Sequence, residues 1–355
     1  MDLSDLPPIQ HGAAVWTGAQ MATREDWSIT LTSAQIAELE HAGEQVIAQR
    51  LALAQLVAEQ FPLPTLAPRL VALRVELLHG RGFALLRGLP VERWSRALTA
   101  AIALGIGVHL GALRPQNAAG HLLGHVCDMG LSGSDPNVRI YQTRERQTFH
   151  TDSCDVVGLL CLREAQSGGE SLLVSAPLLY NRMHEACPEL LARMLRPMAH
   201  DRRGEVPPGQ LPWFMIPVFS WLPGQGAEGL SVFYQRQYFD SAQRFAQAPR
   251  LDAMDVAALD AFDALANDAQ LQLRMRLQAG DLQLVHNHTL LHDRSGFVDH
   301  AEPQRRRHLL RLWLACPGAR VLPETFAARY GSLKIGDRGG IALAGVAPQV
   351  PLAPD

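Results

Sequence analysis

GDLQLVHNHTLLHDRSGF, residues 280–297, carries three histidines in an alternating apolar pattern. Successive side chains of an extended strand point to opposite faces. His286, His288, Leu290 and His292 share one parity, so a straight strand would set all three imidazoles on one face. The Gly280-Asp281 pair reads as a tight turn leading in, and Arg294-Ser295-Gly296 as a turn leading out. A strand with several imidazoles on one side is a candidate metal-ligand strand, and the question it raises is where a carboxylate partner lies.

QTFHTDSCD, residues 147–155, supplies one. His150 and Asp152 stand two apart in a strand-like stretch and project to the same side. Alone they read equally well as a hydrogen-bonded surface pair. With a histidine from 280–297 they make two imidazoles and one carboxylate, a facial set that leaves open positions on an octahedral ion and suits non-haem Fe(II) handling O2. The five cysteines at 127, 154, 161, 187 and 316 form no CxxC pair and read as reduced thiols of a cytoplasmic protein, so zinc held by thiolates is not expected. Cys154, beside Asp152, reads as a small buried hydrophobe rather than a nucleophile.

Further along, PQRRRHLLRLWL (303–314) places Arg305, Arg307 and Arg311 on one parity and Arg306 on the other. Three arginines together often mean only a solvated basic face. Directed inward from a strand next to a metal site, an arginine is suited to gripping a carboxylate bidentately. In SGGESLLVSA (167–176) a Gly-Gly turn precedes Ser171, whose hydroxyl is a candidate second donor.

The 355 residues are 47% hydrophobic and 19% charged, enough for a substantial core in one large domain or two ordinary ones. A formal charge of -3 gives no electrostatic case for nucleic acid. The longest apolar run, AIALGIGVHLGAL, has 13 residues and is too short to span a bilayer. MDLSDLPPIQ lacks the basic and apolar regions of a signal peptide.

Residues 1–32 are irregular and read as an arm on the surface. Helical spacing runs through 31–61, with a Ser/Thr cap at its start, through APRLVALRVELLHG (67–80) and through WSRALTAAIALGIGVHLG (94–111). GFALLRGLP (82–90) lies between the last two as a short buried strand. Strand texture follows in NVRIYQT (137–143), HTDSCDVVGLLCL (150–162) and ESLLVSAP (170–177). Helical spacing returns at 176–200, and 202–250 reads as loops with strands such as GLSVFYQRQYF (229–239). A helix at 252–270 precedes the strands of 271–293 and 305–317. Strands, a helical insertion, then strands imply a β core wrapped by helices within one domain.

FHTD at 149–152, GGES at 168–171, GDLQLVHNHTLLHDRSGF at 280–297 and RRRHLLRLWL at 305–314, in that order, resemble the TauD/TfdA family. The resemblance runs from roughly residue 80 to 325. It implies a mainly β fold with flanking helices, a double-stranded β-helix (jelly-roll) core and a helical insertion. It also implies Fe(II) as metal, 2-oxoglutarate as co-substrate and O2 as oxidant, with an unactivated C–H bond of a small molecule oxidised as succinate and CO2 leave. His150, Asp152 and His292 become the metal ligands, because the family motif has an asparagine five residues before the distal histidine, here Asn287. His286 and His288 then fall outside the motif. Arg307 matches the arginine that pairs with the 2-oxoglutarate C5 carboxylate, and Ser171 a position often held by threonine. Arg311 matches a second arginine that in some members meets an anionic substrate group. The aspartate at 152 argues against the halogenating variants.

The expected layout is an arm (1–32), helices and first strands (33–135), a jelly-roll core (136–325) with an insertion at about 176–270 that covers the site, and a tail (326–355). Two rival readings are a three-histidine cupin built on His286, His288 and His292, which needs no 2-oxoglutarate, and a non-catalytic small-molecule binder on the same fold. Nothing in the sequence decides between a monomer and a homo-oligomer, or names the substrate.

Overall fold

The computed structural model describes residues 3–135 and 138–354. Pro136 and Asn137, where the core and the NVRIYQT strand were expected to begin, lie outside the described residues, as do Met1, Asp2 and Asp355 at the ends of the arm and tail.

Helix α1 (Ser33–Ala48) opens on a reciprocal capping box between Thr32 and Gln35. The expected helical run to Phe61 stops early. Arg50 turns to φ 53°, and two single 3₁₀ turns, Leu53–Gln55 and Ala58–Gln60, replace the rest. The turn brings Phe61 back onto Gly105, where a Cβ would stand 2.4 Å from the ring. Helices α2 (Ala67–His79, ending at Gly80) and α3 (Arg96–Leu110, capped by Ser95) form as the spacing predicts, with strand β1 (Phe83–Arg87) between them.

The remaining principal strands are β2 (Leu123–Val126), β3 (Gln147–His150), β4 (Val156–Arg163), β5 (Ser171–Ser175), β6 (Leu273–Met275), β7 (Leu282–His286), β8 (Leu290–Arg294) and β9 (His308–Ala315). They form two main sheets. The larger has seven strands in the order Ser28–Thr30, β1, β7, β4, β9, Ala112–Leu113, with β2 also on β9. The smaller has four, β6-β5-β8-β3.

Alternation sorts the large sheet's side chains between two cores. Ala84, Leu86, Leu160, Leu282, Leu284, Leu310, Leu312 and Leu314 join helices α1–α3 in one apolar cluster. Phe83, Leu85, Val157, Val285, Leu309 and Trp313 join Leu173 and Leu290 of the small sheet in another. Because both faces are buried, these strands read as nearly continuous apolar runs. Truncating a buried leucine such as Leu284 to alanine costs about 2–5 kcal/mol.

This is the expected jelly-roll core with flanking helices, with local corrections. The GDLQLVHNHTLLHD stretch is not one strand: residues 287–289 form a turn, and the chain crosses there from the large sheet (β7) to the small one (β8). The parity shared by His286, His288 and His292 therefore does not carry across. Ile140–Gln142 form a 3₁₀ turn rather than a strand. GLSVFYQRQYF divides into a strand, Leu230–Val232, and a helix, Arg236–Ala242. The arm is more than a surface strap, since Trp16 is buried in the inter-sheet core and Ser28–Thr30 pairs with β1.

Between β5 and β6 lie helices α4 (Ala176–Ala186), α5 (Pro188–Met194) and α6 (Ala253–Ala266) with two short hairpins. They share an apolar cluster with Leu172, Val174 and Leu291 on the outer side of the small sheet.

Candidate metal centre

Strand pairing assembles the centre. β3 and β8 run antiparallel with His150 directly opposite His292, and their ring centroids are 4.1 Å apart. β3 ends at His150, so Asp152 sits on the following loop rather than on a strand. Three contacts fix that loop. The Thr151 amide donates to the Tyr234 carbonyl at 2.8 Å, and the Tyr234 amide donates back to Thr151 Oγ1 at 3.0 Å. The Asp152 amide donates to Asn287 Oδ1 at 2.9 Å, from the turn where the chain changes sheets. The asparagine five residues before His292 thus holds the aspartate in place.

One ligand atom from each of His150, Asp152 and His292 lies within 4.8 Å of the others, and His292 Nε2 is 3.7 Å from Asp152 Oδ2. All three residues are buried. His150 Nδ1 donates to the Thr148 carbonyl at 2.8 Å, which leaves Nε2 with its lone pair; here it accepts from the Gln147 amide at 2.9 Å. An ion bound at Nε2 displaces that amide. Burial keeps both imidazoles neutral, lowering His150 and bringing His292 down to about 3, the latter helped by His150. Burial alone would raise Asp152, but Arg311, then His292 and His150, hold it below the usual carboxylate range. Two neutral imidazoles and one carboxylate are the protonation states a divalent iron requires. Trp313 Nε1 donates to Asp152 Oδ2 at 2.9 Å and fixes the carboxylate's rotation.

The pocket beside the triad is lined by Tyr141, Ser171, Arg294, Arg307, Leu309 and Arg311, among others. It is narrow, about 40 Å³, and Tyr141 and Arg311 also line an adjoining cavity of about 240 Å³ that Pro354 of the tail helps to close. Arg307 approaches Gly169 so closely that a Cβ there would stand 2.8 Å from its Nε, which explains the glycine before Glu170. Arg307 and Arg294 both lie over the Phe297 ring, 5.2 and 4.8 Å from its centre. Burial brings Arg307 to about 10; burial and then Arg307 bring Arg294 to about 9. Arg294 donates to the carbonyls of Thr143 and Glu145, whereas Arg307 Nη1 is buried without a partner. Ser171 Oγ donates to Gln283 Oε1 at 2.8 Å and must rotate to serve a ligand. Arg311 donates to Gln116 Oε1 at 2.7 Å, lies 3.8 Å from Asp152 Oδ1, and stacks 4.5 Å from the Tyr141 ring centre.

His286 and His288 are elsewhere engaged. His288 Nε2 is 3.0 Å from Asp155, which also accepts from Arg338 Nε at 2.8 Å and the Cys316 amide at 2.9 Å. His286 meets Thr289 Oγ1 at 2.9 Å. The three-histidine set of a cupin reading is therefore not assembled. Cys154 is fully buried and burial pushes its thiol well up, as expected of a packing residue. Trp313 and Gln147 escaped the sequence reading. Trp313 was discoverable, since it continues the parity of Arg307 and Arg311; Gln116, from a loop remote in sequence, left no signal. Among the described residues no helix is long and apolar enough to cross a membrane.

Comparison with known proteins agrees with this chemistry. Residues 49–313 match the family described as taurine catabolism dioxygenase TauD, TfdA family. FR-33289 synthase of Streptomyces rubellomurinus is 33% identical over 330 residues, spanning 91% of this chain and 95% of that protein. Among solved structures, asparagine oxygenase with Fe(II), 3-hydroxyasparagine and succinate aligns with a TM-score of 0.61 at 18% identity, over 81% of this chain and 93% of its own. The non-haem iron oxygenase OrfP with Fe and alpha-ketoglutaric acid aligns at 0.60 and 15% identity, over 81% and 93%. The last two speak for the fold, and the first two for kinship. With the ligand set in place on that fold, the chain belongs to the TauD/TfdA family of Fe(II)- and 2-oxoglutarate-dependent oxygenases.

Proposed function

We propose that the protein hydroxylates an unactivated C–H bond of a small molecule bearing an anionic group, within a single oxygenase domain whose 176–270 insertion helps to enclose the site. His150, Asp152 and His292 are the residues that hold Fe(II), and three protein donors leave room on the ion for co-substrate and dioxygen. Bound iron, with 2-oxoglutarate and O2, supplies the oxidising power for C–H cleavage as 2-oxoglutarate gives succinate and CO2.

The observation that carries the co-substrate assignment is Arg307. Its buried guanidinium has an unpartnered Nη1, and no carboxylate of the described residues lies within 4.0 Å of it or of Arg294. Arg307 Nη2 reaches the Gly169 carbonyl at 3.5 Å, but a buried cation without a counter-charge is costly, and the C5 carboxylate of 2-oxoglutarate relieves that cost. Ser171 adds a hydroxyl at the same end of the pocket. Arg311, stacked on Tyr141 at the boundary with the adjoining cavity, is the group offered to the substrate's anion. Gln116 and Asp152 orient that guanidinium. The protein's own work is to position these groups and to keep stray water from the site.

The test is anaerobic titration of 2-oxoglutarate into the Fe(II)-loaded protein, followed by succinate release in air with a panel of small anions and neutral analogues. Anions that raise succinate release and gain one oxygen atom support the reading. Release stimulated only by neutral compounds overturns the role given to Arg311.

A further inference from the structure

A second cavity lies behind the large sheet, on the face turned away from the iron. Its volume is about 310 Å³, and it shares no lining residue with the narrow metal pocket. That volume falls at the lower end of small-molecule sites. Its walls divide by chemistry. Leu123, Leu162, Leu310 and Ala100 make an apolar floor, and Trp94 and Leu352 add to it. Arg96, Arg163, His125 and His308 make the polar side.

The two histidines are already committed. Arg163 Nη2 donates to His308 Nδ1 at 3.1 Å, so that nitrogen is bare and the proton sits on His308 Nε2. From there it is donated to His125 Nδ1 at 2.8 Å, and His125 Nε2 donates in turn to the Pro351 carbonyl at 3.0 Å. Every ring nitrogen is engaged in this chain of hydrogen bonds, and neither ring offers a lone pair to a cation. Burial first, then His125 and the guanidiniums of Arg163 and Arg96, hold His308 down at about 3.

The guanidiniums are not so engaged. Arg163 spends Nε on the Arg306 carbonyl at 2.9 Å and Nη2 on His308, which leaves Nη1. The Arg96 side chain makes no hydrogen bond or ion pair among the described residues. It stands in the first turn of α3, a fifteen-residue helix whose positive end adds to the field here. Carboxylates are near but not paired: Glu92 lines the cavity and is exposed, and Asp299 raises Arg163 only from beyond ion-pair distance. Burial lowers Arg163, and Arg96 lowers it further. Two like charges lining one cavity over an apolar floor are an arrangement that an anion stabilises.

We propose that this rear cavity binds a small monocarboxylate with a short apolar body, its carboxylate between Arg96 and Arg163 and its chain against Leu123, Leu162 and Leu310. A planar guanidinium matches a carboxylate in a fork. The leucine floor favours an apolar chain over a fully hydrated inorganic anion.

Calorimetric titration of hexanoate into the full chain tests this, with Fe(II) and saturating 2-oxoglutarate present under anaerobic conditions so that the co-substrate pocket is filled. One site is expected, weakened about 10–100-fold by Arg163→Met and by Arg96→Met, the loss typical of a charged hydrogen bond. The exposed Arg96→Met variant should keep wild-type succinate release, which shows that it is folded. Acetate and inorganic phosphate should bind at least about tenfold more weakly than hexanoate, since neither covers the apolar floor. Absence of hexanoate binding, equal binding by both variants and wild type, or phosphate binding as tight as hexanoate would each overturn the proposal.

Discussion

Two pairs of histidines meet across neighbouring strands of this molecule, and their third partners set them apart. His150 and His292 face each other across β3 and β8, with Asp152 as the added group. His125 and His308 meet between β2 and β9, with Arg163 as the added group. The carboxylate leaves ring lone pairs converging on one point, which is a cation site. The guanidinium instead consumes a ring lone pair and sets a one-way chain of donors, and the charge left over is positive. A third pair, His286 and His288, sits beside a carboxylate that Arg338 has already neutralised, and neither ring joins the metal-competent group. An imidazole pair is therefore no metal site by itself; the charge beside it decides.

Asp152→Ala breaks the comparison most directly. It removes the feature that separates the front pair from the rear one, and both iron binding and succinate release should fall to background. Full activity in that variant would show that the two imidazoles suffice. Arg307→Ala should come next. It removes the buried donor at the far end of the pocket, and 2-oxoglutarate should bind about 10–100-fold more weakly, while iron affinity measured in the absence of 2-oxoglutarate stays near wild type. A larger loss for the prime substrate than for 2-oxoglutarate would reassign this arginine.

The parts of this comparison that could be read from sequence are those encoded in short spacing. HTD places an imidazole and a carboxylate two apart, and the alternation of RRRHLLRLWL sends Arg307 and Arg311 to one side. What escaped depended on long-range contacts. The turn at 287–289 is invisible to a period-two pattern, because Asn287 and Thr289 suit a strand interrupted for the sake of Asp152, 135 residues away. That interruption also removed His286 and His288 from the face of His292. Arg338 lies in the tail, to which the sequence assigned no role, yet it is fully buried against Asp155. Trp16 belongs to the same class, an arm residue whose place in the inter-sheet core no local pattern announces.

Five of these six imidazoles share one property with the buried His200, and acid should expose it. Burial depresses His292 and His308 to about 3 and His288 to about 4, and lowers His150, His200 and His286. An unfolded histidine titrates near 6.5. Below that pH the unfolded chain takes up protons that the folded chain refuses, so stability falls as pH falls from about 6.5 toward the folded values. The urea midpoint of the iron-free protein should therefore be lower at pH 5 than at pH 7.5. A midpoint that holds steady or rises would mean that these imidazoles are protonated in the fold.

Trp313→Phe gives the smallest and most informative effect. Trp313 lies on β9, the strand that also carries His308, and its indole donates to Asp152 Oδ2 while lying 5.1 Å from the Arg311 guanidinium. Phenylalanine keeps most of the packing and deletes the donor. Asp152 retains Arg311 and both imidazoles, so it stays ionised, but its carboxylate is freer to rotate. Losing a group that orients a ligand costs about 10–100-fold in metal affinity or activity, and the retained Arg311 argues for the lower end. The expected result is about tenfold weaker iron binding, with 2-oxoglutarate affinity at saturating iron little changed and hexanoate binding in the rear cavity unaffected. A variant that binds iron like wild type would mean that Asn287 and the loop backbone alone hold the carboxylate, and that β9 acts on the front pair only through its arginines.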